Sequence, residues 1–433
     1  MKTRYPNNSS AGPVYQTDKN TKHEAPGRQN TGSGIQKPET SLKVVRLSLI
    51  FISAFYILSS LNTVSLGGDL VLNGYVKYLG MYYQPKVQIP GINEEYLASG
   101  LIHNRLNFRW YASSGLTLAI ETRNRLIFGQ MIREFPEYKS LIDVDNGYFD
   151  LSGTIASGNS WFLYSIIDRA WLDYEKGKWQ IRVGRQRINW GINLVWNPND
   201  VFNSFSYFDF DYEERPGTDA VKVQYFTGVT SSAELVYKFG ANSEQMALAG
   251  MYRFSKWSYD FQFLGGRVGK DYIFGGGWSG DIKGAGFRGE ATYFKPRNEQ
   301  NGSNEALVAS VSADYTFANS LYIHSGVLYN SHGVLGKAGG RSFFDQNLSA
   351  KTLSLARYSL FGQVSYPFTP LFSGDLMAIV NPSDHSYFLG PSLIYSLGNN
   401  LEVMLTGQLF FGGKETEYGD YGQAVFLRLK WSF

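Results

Sequence analysis

The sequence contains no cysteine and has few charged residues. Among its 433 residues Asp, Glu, Lys and Arg make up 18%, against roughly 25% in soluble domains. The lack of cysteine excludes disulfides and thiolate metal sites, and it suits an oxidising compartment such as the periplasm or the outer membrane. A formal net charge of +3 gives no whole-chain argument for binding nucleic acid. We therefore predict no nucleic-acid partner.

Catalytic and nucleotide-binding motifs are missing as well. No G-x-x-x-x-G-K-[ST], H-E-x-x-H or calcium-loop pattern occurs. A lipase-like barrel needs Ser, His and an orienting group, but His103, His324, His332 and His385 lie on separate predicted strands or strand ends. No G-x-S-x-G elbow precedes a helix. We predict that the protein is not an enzyme and that it uses no metal and no cofactor.

Glycine and aromatic residues are abundant instead. The chain has 47 Gly, 30 Tyr, 30 Phe and 9 Trp. The mean hydropathy is −0.24, and a single apolar run is long enough to span a bilayer, which excludes a bundle of membrane helices. Glycine suits tight turns, and aromatic residues are typical of the edges of membrane barrels. This composition favours closed sheets with many turns.

The first 66 residues differ from the rest. Residues 1–42 are polar and lack apolar periodicity, which predicts a disordered leader. Lys43 and Arg46 precede an apolar run and a small polar stretch, which predicts a signal peptide over 43–66. The alternative is an uncleaved membrane anchor over 47–66. A true translation start near Leu42 to Leu47, later than Met1, would account for the leader.

Residues 67–433 consist of segments of about 10 to 13 residues that alternate apolar and polar side chains, as expected of strands between two different solvents. The pattern predicts eighteen strands, with sixteen as the nearest alternative. The predicted strands are 69–82, 100–112, 115–127, 161–175, 178–189, 218–228, 230–240, 244–254, 257–267, 271–282, 284–295, 305–317, 320–331, 356–366, 371–381, 385–396, 400–412 and 421–433.

The connections between these segments are sorted by length. Those after even-numbered strands are short, whereas those after odd-numbered strands include long ones, such as 128–160 and 332–355. An open sheet edge is too costly in hydrocarbon, so the sheet must close. We predict an all-β fold: a transmembrane antiparallel β-barrel over 67–433, with short periplasmic turns and long external loops.

Charged residues that face the lumen of such a barrel tune its selectivity. On the second predicted strand arginines alternate with Leu106, Phe108 and Trp110, and on the third they share a face with Glu121. We call the following set, which we predict to line the pore beside Glu121, the arginine wall. Its members are Arg105, Arg109, Arg123, Arg125, Arg182, Arg185 and Arg187.

Two regions resemble known outer-membrane proteins. The alternating end of the chain, with Trp431 and the terminal Phe433, resembles the strand that outer-membrane barrels present to the barrel-assembly machinery. The stretches V-G-R-Q-R-I-N-W-G (183–191), W-N-P-N-D (196–200) and E-R-P-G-T-D-A-V (214–221) resemble a strand, loop and strand of certain Gram-negative porin-like families. The resemblance covers about 40 residues.

The resemblance implies that the third external loop, 190–217, folds inward as in general porins. It carries the carboxylates Asp200, Asp209, Asp211, Glu213 and Glu214. Facing the arginine wall, these would create a transverse field across a constriction. Two alternatives stay open. The arginines could pair with carboxylates of the strands merely to neutralise the lumen, under an external cap, or the loop could form a sugar or aromatic-ligand site.

We predict a porin-like channel of the bacterial outer membrane, through which small hydrophilic solutes diffuse. A preference for anionic solutes is left open, and so is assembly into a homo-oligomer. The expected partners are outer-membrane lipid, the barrel-assembly machinery and small solutes. The alternative function is the binding or export of an extracellular polymer by an outer-membrane barrel.

Overall fold

A computed structural model describes residues 68–87, 94–135, 137–204, 207–209, 211–298, 304–339 and 349–433. The predicted leader, 1–42, and the predicted signal peptide, 43–66, lie outside the described residues. Among the residues that are described, no helix is both long and apolar enough to cross a membrane.

Nearly all of the regular structure is β-strand. The strands are β1 (Asp69–Gln84), β2 (Leu97–Ser113), β3 (Leu116–Gly129), β4 (Ser152–Ser157), β5 (Trp161–Lys176), β6 (Trp179–Gln186), β7 (Thr218–Phe226), β8 (Ser232–Lys238), β9 (Ala247–Lys256), β10 (Tyr259–Val268), β11 (Asp271–Ile282), β12 (Ala285–Pro296), β13 (Ala306–Thr316), β14 (Tyr322–Asn330), β15 (Tyr358–Thr369), β16 (Phe372–Asn381), β17 (Ser386–Gly398), β18 (Leu401–Phe411) and β19 (Gln423–Ser432). Two short helices, α1 (Gln130–Glu134) and α2 (Tyr138–Ile142), lie between β3 and β4.

The sheet closes on itself. Each wall strand pairs antiparallel with its neighbours along the chain, and β1 pairs with β2 on one side and with β19 on the other. The short strand β4 pairs with the outer half of β5, so eighteen strands form the wall. This confirms the predicted closed antiparallel barrel and decides against sixteen strands.

The outer surface of the wall is apolar. On β19, Val425, Leu427, Leu429 and Trp431 are 41 to 50% exposed, whereas the alternate residue Phe426 is buried. This two-residue alternation is expected when lipid lies on one side of a strand and the barrel interior on the other.

Connection lengths follow the predicted order. At one end of the barrel the wall strands are joined by short turns, such as 114–115, 177–178 and 257–258. The other end carries the long connections, including 187–217 and 331–357. Tight turns at one rim leave the opposite rim to form loops that can reach over or into the barrel.

Two features differ from the predicted strands. The connection 130–160 contains β4 and the two helices, which the alternation did not predict. Strand β6 ends at Gln186 rather than at 189, because Ile188 and Trp190 turn into the interior, where they are 2% and 1% exposed. The free energy gained by burying these two apolar side chains exceeds the free energy that further strand pairing in the wall would give.

Candidate functional site

Residues 187–217, which we call the inner segment, connect β6 to β7 and run through the barrel interior. Near its start Trp190 Nε1 donates a hydrogen bond to Glu234 of β8 at 2.6 Å. Further on, Gln408 of β18 donates to the carbonyl oxygen of Phe208 at 2.7 Å. Because β8 and β18 lie on nearly opposite sides of the closed sheet, the segment crosses the interior between them.

Apolar side chains attach the inner segment to one half of the wall. Trp196 packs edge-on against Phe361 of β15, with ring centroids 6.3 Å apart. Phe208 packs against Phe388 of β17 at 5.0 Å and Phe410 of β18 at 5.4 Å. The interior beside β9–β18 is therefore an apolar core that holds the segment.

Asparagine side chains fix the same part of the segment. Asn193 Nδ2 donates to Ser310 Oγ at 2.6 Å, and Ser312 Oγ donates to Asn193 Oδ1 at 2.7 Å. Asn199 accepts from Thr292 Oγ1 at 2.6 Å. Buried amides need such partners, which gives Asn193 and, within the W-N-P-N-D stretch, Asn199 a structural role.

The other half of the interior is basic. Lys430 of β19 is in register with Lys77 of β1, Lys77 with His103 of β2, and His103 with Arg125 of β3. Cross-strand partners share a face of the sheet. We call these four residues the basic row.

Carboxylates of the inner segment meet the basic row. Asp211 Oδ1 lies 2.7 Å from Lys77 Nζ, and Lys77 is fully buried. Glu213 lies 2.7 Å from Lys430 Nζ and 3.3 Å from Arg428 Nη1. A buried ammonium without a counter-charge is strongly unfavourable, so these pairs fix the position of the segment.

Arg105 of the predicted arginine wall is the centre of a second cluster. It is fully buried, and its Nη atoms lie 2.6 Å from Asp168 and 2.6 Å from Glu121. Its Nε lies 3.4 Å from Glu214, which also accepts from Tyr75 at 3.1 Å. Arg105 thus joins carboxylates of the wall to a carboxylate of the inner segment.

Arg123 and Arg109 flank this cluster. Arg123 Nε lies 3.4 Å from Asp168, and its guanidinium stacks 3.8 Å from the ring centre of Tyr212. Arg109 pairs with Glu121 at 3.3 Å, and its side chain is 46% exposed. Arg109 therefore keeps the most solvent contact of these three arginines.

Arg125 and Arg182 have partners on the wall. Arg125 lies over the ring of Tyr164 at 4.9 Å. Arg182 pairs with Asp173 at 2.8 Å. Pairing with carboxylates of the strands, which the sequence left open as an alternative, thus occurs at Arg109 and Arg182, and in part at Arg105 and Arg123.

Arg185 does not share the face of Arg182. It lies two residues beyond Val183, which is 44% exposed on the outer surface, and it is in register with Asp219 of β7. Arg185 pairs with Asp219 at 2.9 Å and with Asp145 at 2.6 Å. Its assignment to the arginine wall therefore does not match its position, because residues two apart on a strand lie on one side of the sheet.

Asp200 and Arg187 lie in the first part of the inner segment. Asp200 is 1% exposed, and its backbone N–H donates to the carbonyl of Asn197 at 3.0 Å. Burial raises the pKa of the Asp200 carboxyl to about 6, although the positive charges of Arg187 and Arg215 act to lower it. Asp200 therefore differs from the other carboxylates of the segment, which face Lys and Arg of the wall or open space.

An open space of about 220 Å³ remains between the inner segment and β16–β18. Asp209, an exposed residue, borders it. The other side chains around it are Tyr207, Tyr212, Glu213, Arg215, Met377, Phe388, Thr406 and Gln408. Charged groups of the segment thus face an apolar and amide-lined part of the wall.

The predicted assembly signal lies at the closure of the barrel. The backbone N–H of Phe433 donates to the carbonyl of Gly74 at 2.9 Å, and the N–H of Gly74 donates to the carbonyl of Phe433 at 3.0 Å. Trp431 faces outward and is 50% exposed. The end of the chain thus forms backbone hydrogen bonds with its first strand.

Several residues of this site were missed from the sequence. Lys77, Arg428 and Lys430 bind the acidic segment, yet they belong to the first and last strands, which become neighbours only when the barrel closes. The polar face of the last strand, which carries Arg428 and Lys430, could have indicated two of these residues. Arg169, which donates to the carbonyls of Glu214 and Arg215, lies beside a register shift between β3 and β5 that alternation cannot predict.

Solved structures share this fold, although no family model and no curated protein matches the sequence. Outer membrane protein OprD from Pseudomonas aeruginosa has a TM-score of 0.56 and 9% identity over 85% of this chain and 94% of that one. OccK11 (OpdR) from the same species gives 0.54 and 10%, over 85% and 97%. Acinetobacter baumannii OccAB4 gives 0.53 and 10%, over 86% and 100%.

These similarities define the class of fold. The chain has the fold of an outer-membrane β-barrel of this type along nearly its whole described length. The predicted resemblance to Gram-negative porin-like barrels is confirmed at the level of the fold. At such low identity the likeness carries no solute or residue role to this chain.

Proposed function

We propose that the protein is a channel of the bacterial outer membrane for small hydrophilic solutes, with the inner segment as its constriction. The observation that supports this most directly is the path of the segment, which has partners on β8 and on β18. Solutes pass through the remaining space beside β16–β18. A closed barrel with a polar route through it needs no catalytic group.

Charges on the segment side of this space give the channel its selectivity. Asp209 and Glu213 lie on the segment side, and Lys430 and Arg428 lie on the wall behind Glu213. Charged groups on one side of a narrow space, opposite a wall without charges, create a field transverse to the path of a solute. We infer that this field orients dipolar solutes, including anionic ones, as they pass.

Planar-bilayer recording on the purified protein tests the proposal. We expect stepwise conductance, and in a salt gradient Glu213→Gln should shift the reversal potential towards anion selectivity because it removes a negative charge. Lys430→Gln should shift it the opposite way. Lys270→Gln, in a rim turn where the side chain is 64% exposed, is the control and should leave it unchanged.

Two results would contradict the proposal. Absence of stepwise conductance would refute the channel itself. Conductance with reversal potentials equal to wild type in both charge variants would refute the constriction while leaving the channel intact.

A further inference from the structure

The wall is short on one side of the barrel. Strands β6, β7 and β8 have 8, 9 and 7 residues, whereas β5 has 16. At about 3.3 Å per residue and a tilt of about 40°, eight residues span only about 20 Å along the barrel axis, less than the apolar band of about 25 Å usual for such barrels. Another part of the chain must therefore complete the lipid-facing surface there.

The outward face at the end of these short strands carries two charges. Arg185 follows Val183 on β6, and Asp219 precedes Val221 on β7, in register with one another. Both are 3% exposed, although their positions continue the outward row. Something on the outer side of the wall covers them, as the cost of charge in hydrocarbon requires.

The covering segment is 145–149, which we call the outer flap. Asp145 pairs with Arg185 at 2.6 Å, and the N–H of Phe149 donates to Asp219 at 3.0 Å. A Cβ atom at Gly147 would lie 1.9 Å from Nη2 of Arg185, so the backbone passes directly over the ion pair. The flap therefore lies outside the wall, above β6 and β7.

Aromatic side chains connect the flap to the outer surface. Tyr237 of β8 is in register with the outward residue Val221 and packs against Phe239, with centroids 5.3 Å apart. Phe239 contacts Tyr148 at 6.1 Å, and Tyr148 contacts Phe149 at 5.0 Å. Tyr148 and Phe149 are nevertheless 51% and 56% exposed.

We propose that the outer flap is part of the lipid-facing wall and that Tyr148 and Phe149 contact lipid of the outer leaflet. The apolar surface runs without interruption from the outward residues of β8 to these two rings. Aromatic rings are favoured where acyl chains meet headgroups. The flap makes up for the short strands and shields the ion pair of Arg185 and Asp219 from lipid.

Site-directed spin labelling tests this, because the chain has no cysteine. Phe149→Cys is labelled in the full-length protein reconstituted in phospholipid bilayers. Leu235→Cys, on the outward face of β8, is the lipid reference, and Glu244→Cys, in the connection after β8, is the water reference. We measure collisions with oxygen, which dissolves in lipid, and with a water-soluble nickel chelate.

The oxygen-to-nickel ratio at Phe149→Cys should equal that at Leu235→Cys and exceed that at Glu244→Cys several-fold. A ratio equal to the water reference would overturn the proposal. Low collision with both reagents, together with dipolar broadening between labels, would place a second copy of the chain on the flap and would also overturn it. If Phe149→Cys does not fold, Tyr148→Cys gives the same readout.

Discussion

Arg185 forms five hydrogen bonds, to both oxygens of Asp219, to Asp145 and to the carbonyls of Phe149 and Ile167. We expect Arg185→Ala to destabilise the barrel by about 3–5 kcal/mol, because two buried carboxylates lose their counter-charge. The measurement is the temperature at which the barrel loses its compact electrophoretic mobility.

Arg182→Ala is the matched control on the same strand. Arg182 has a 23% exposed side chain and pairs with one carboxylate, that of Asp173, so the loss of stability should be smaller. The reversal potential in planar-bilayer recording should also differ between the two variants. Arg182→Ala should shift it, because Arg182 does not share the outward face of Arg185, whereas Arg185→Ala should leave it unchanged. A shift for Arg185→Ala in a well-folded barrel would contradict its outward placement.

We expect packing of the external loop between β18 and β19 to depend on pH through Glu417. Its side chain is 6% exposed and accepts from Ser354 Oγ at 2.8 Å. Burial raises its pKa from 4.5 to about 7, and Asp384 acts in the same direction. The folded loop favours the protonated form, so its stabilisation is complete below pH about 4.5 and is lost as the pH rises through about 7.

Hydrogen exchange of the amides in 412–422 measures this effect. After correction for intrinsic rates, exchange should be slower at pH 5 than at pH 8. Glu417→Gln keeps a neutral side chain and should remove the difference. Equal protection at both pH values in the wild type would show that the carboxyl is not held in its neutral form.

At the scale of single elements, the inner segment depends on its aromatic anchors. Phe208 packs against Phe388 and Phe410, and both are 2% exposed. Because Phe208 is itself partly buried, we expect Phe208→Ala to weaken this contact by less than the about 3–5 kcal/mol of a fully buried Phe. Single-channel conductance should rise, because the segment leaves the wall. Planar-bilayer recording measures the change.

Phe411→Ala controls for the loss of an aromatic ring on the same strand. Phe411 stacks on Tyr387, with centroids 4.9 Å apart, and Tyr387 is 38% exposed on the outer surface. This variant should keep the wild-type conductance. Wild-type conductance in Phe208→Ala as well would indicate that the ion pairs with the basic half of the wall hold the segment in place without the aromatic contacts of Phe208.

The 130–160 connection contains a strand, β4, that the alternation of apolar and polar residues does not predict. Strand β4 pairs with residues 162–166 of β5, beyond the point where β6 ends. Its sequence, S-G-T-I-A-S, has no clear alternation, and its place follows from the free edge of β5. An unpaired edge at that position would be unfavourable, which explains why a loop supplies a strand.

For the whole molecule, closure is the step that brings the site together. A Cβ atom at Gly74 would lie 2.1 Å from the carbonyl oxygen of Arg105. We expect Gly74→Val to prevent pairing between β1 and its neighbours and to abolish the compact, heat-modifiable form. The readout is electrophoretic mobility after refolding in detergent.

Phe433→Ala tests whether the ring of the terminal residue is needed for barrel closure or for recognition by the assembly machinery. The variant keeps the backbone hydrogen bonds to Gly74 and loses only the ring. If the terminal residue is a signal to the assembly machinery, the variant should refold in detergent like wild type but accumulate less in the outer membrane of cells. Failure in detergent as well would assign the ring to barrel stability.

The sequence by itself determined the wall. Alternation of side chains and the length of turns are local properties, so all eighteen wall strands and the order of short and long connections followed from them. The side on which Arg185 lies could also have been derived, because it shares the two-residue period of Ile181 and Val183.

Only the tertiary structure decided what the lumen contains. Lys77 and Lys430 become neighbours because the sheet closes, and Phe208 finds its partner Gln408 200 residues along the chain. A loop has no repeating pattern that constrains its path, so the inner segment takes the path along which its aromatic residues meet apolar strands and its carboxylates meet Lys and Arg. That fit exists only once the wall is complete.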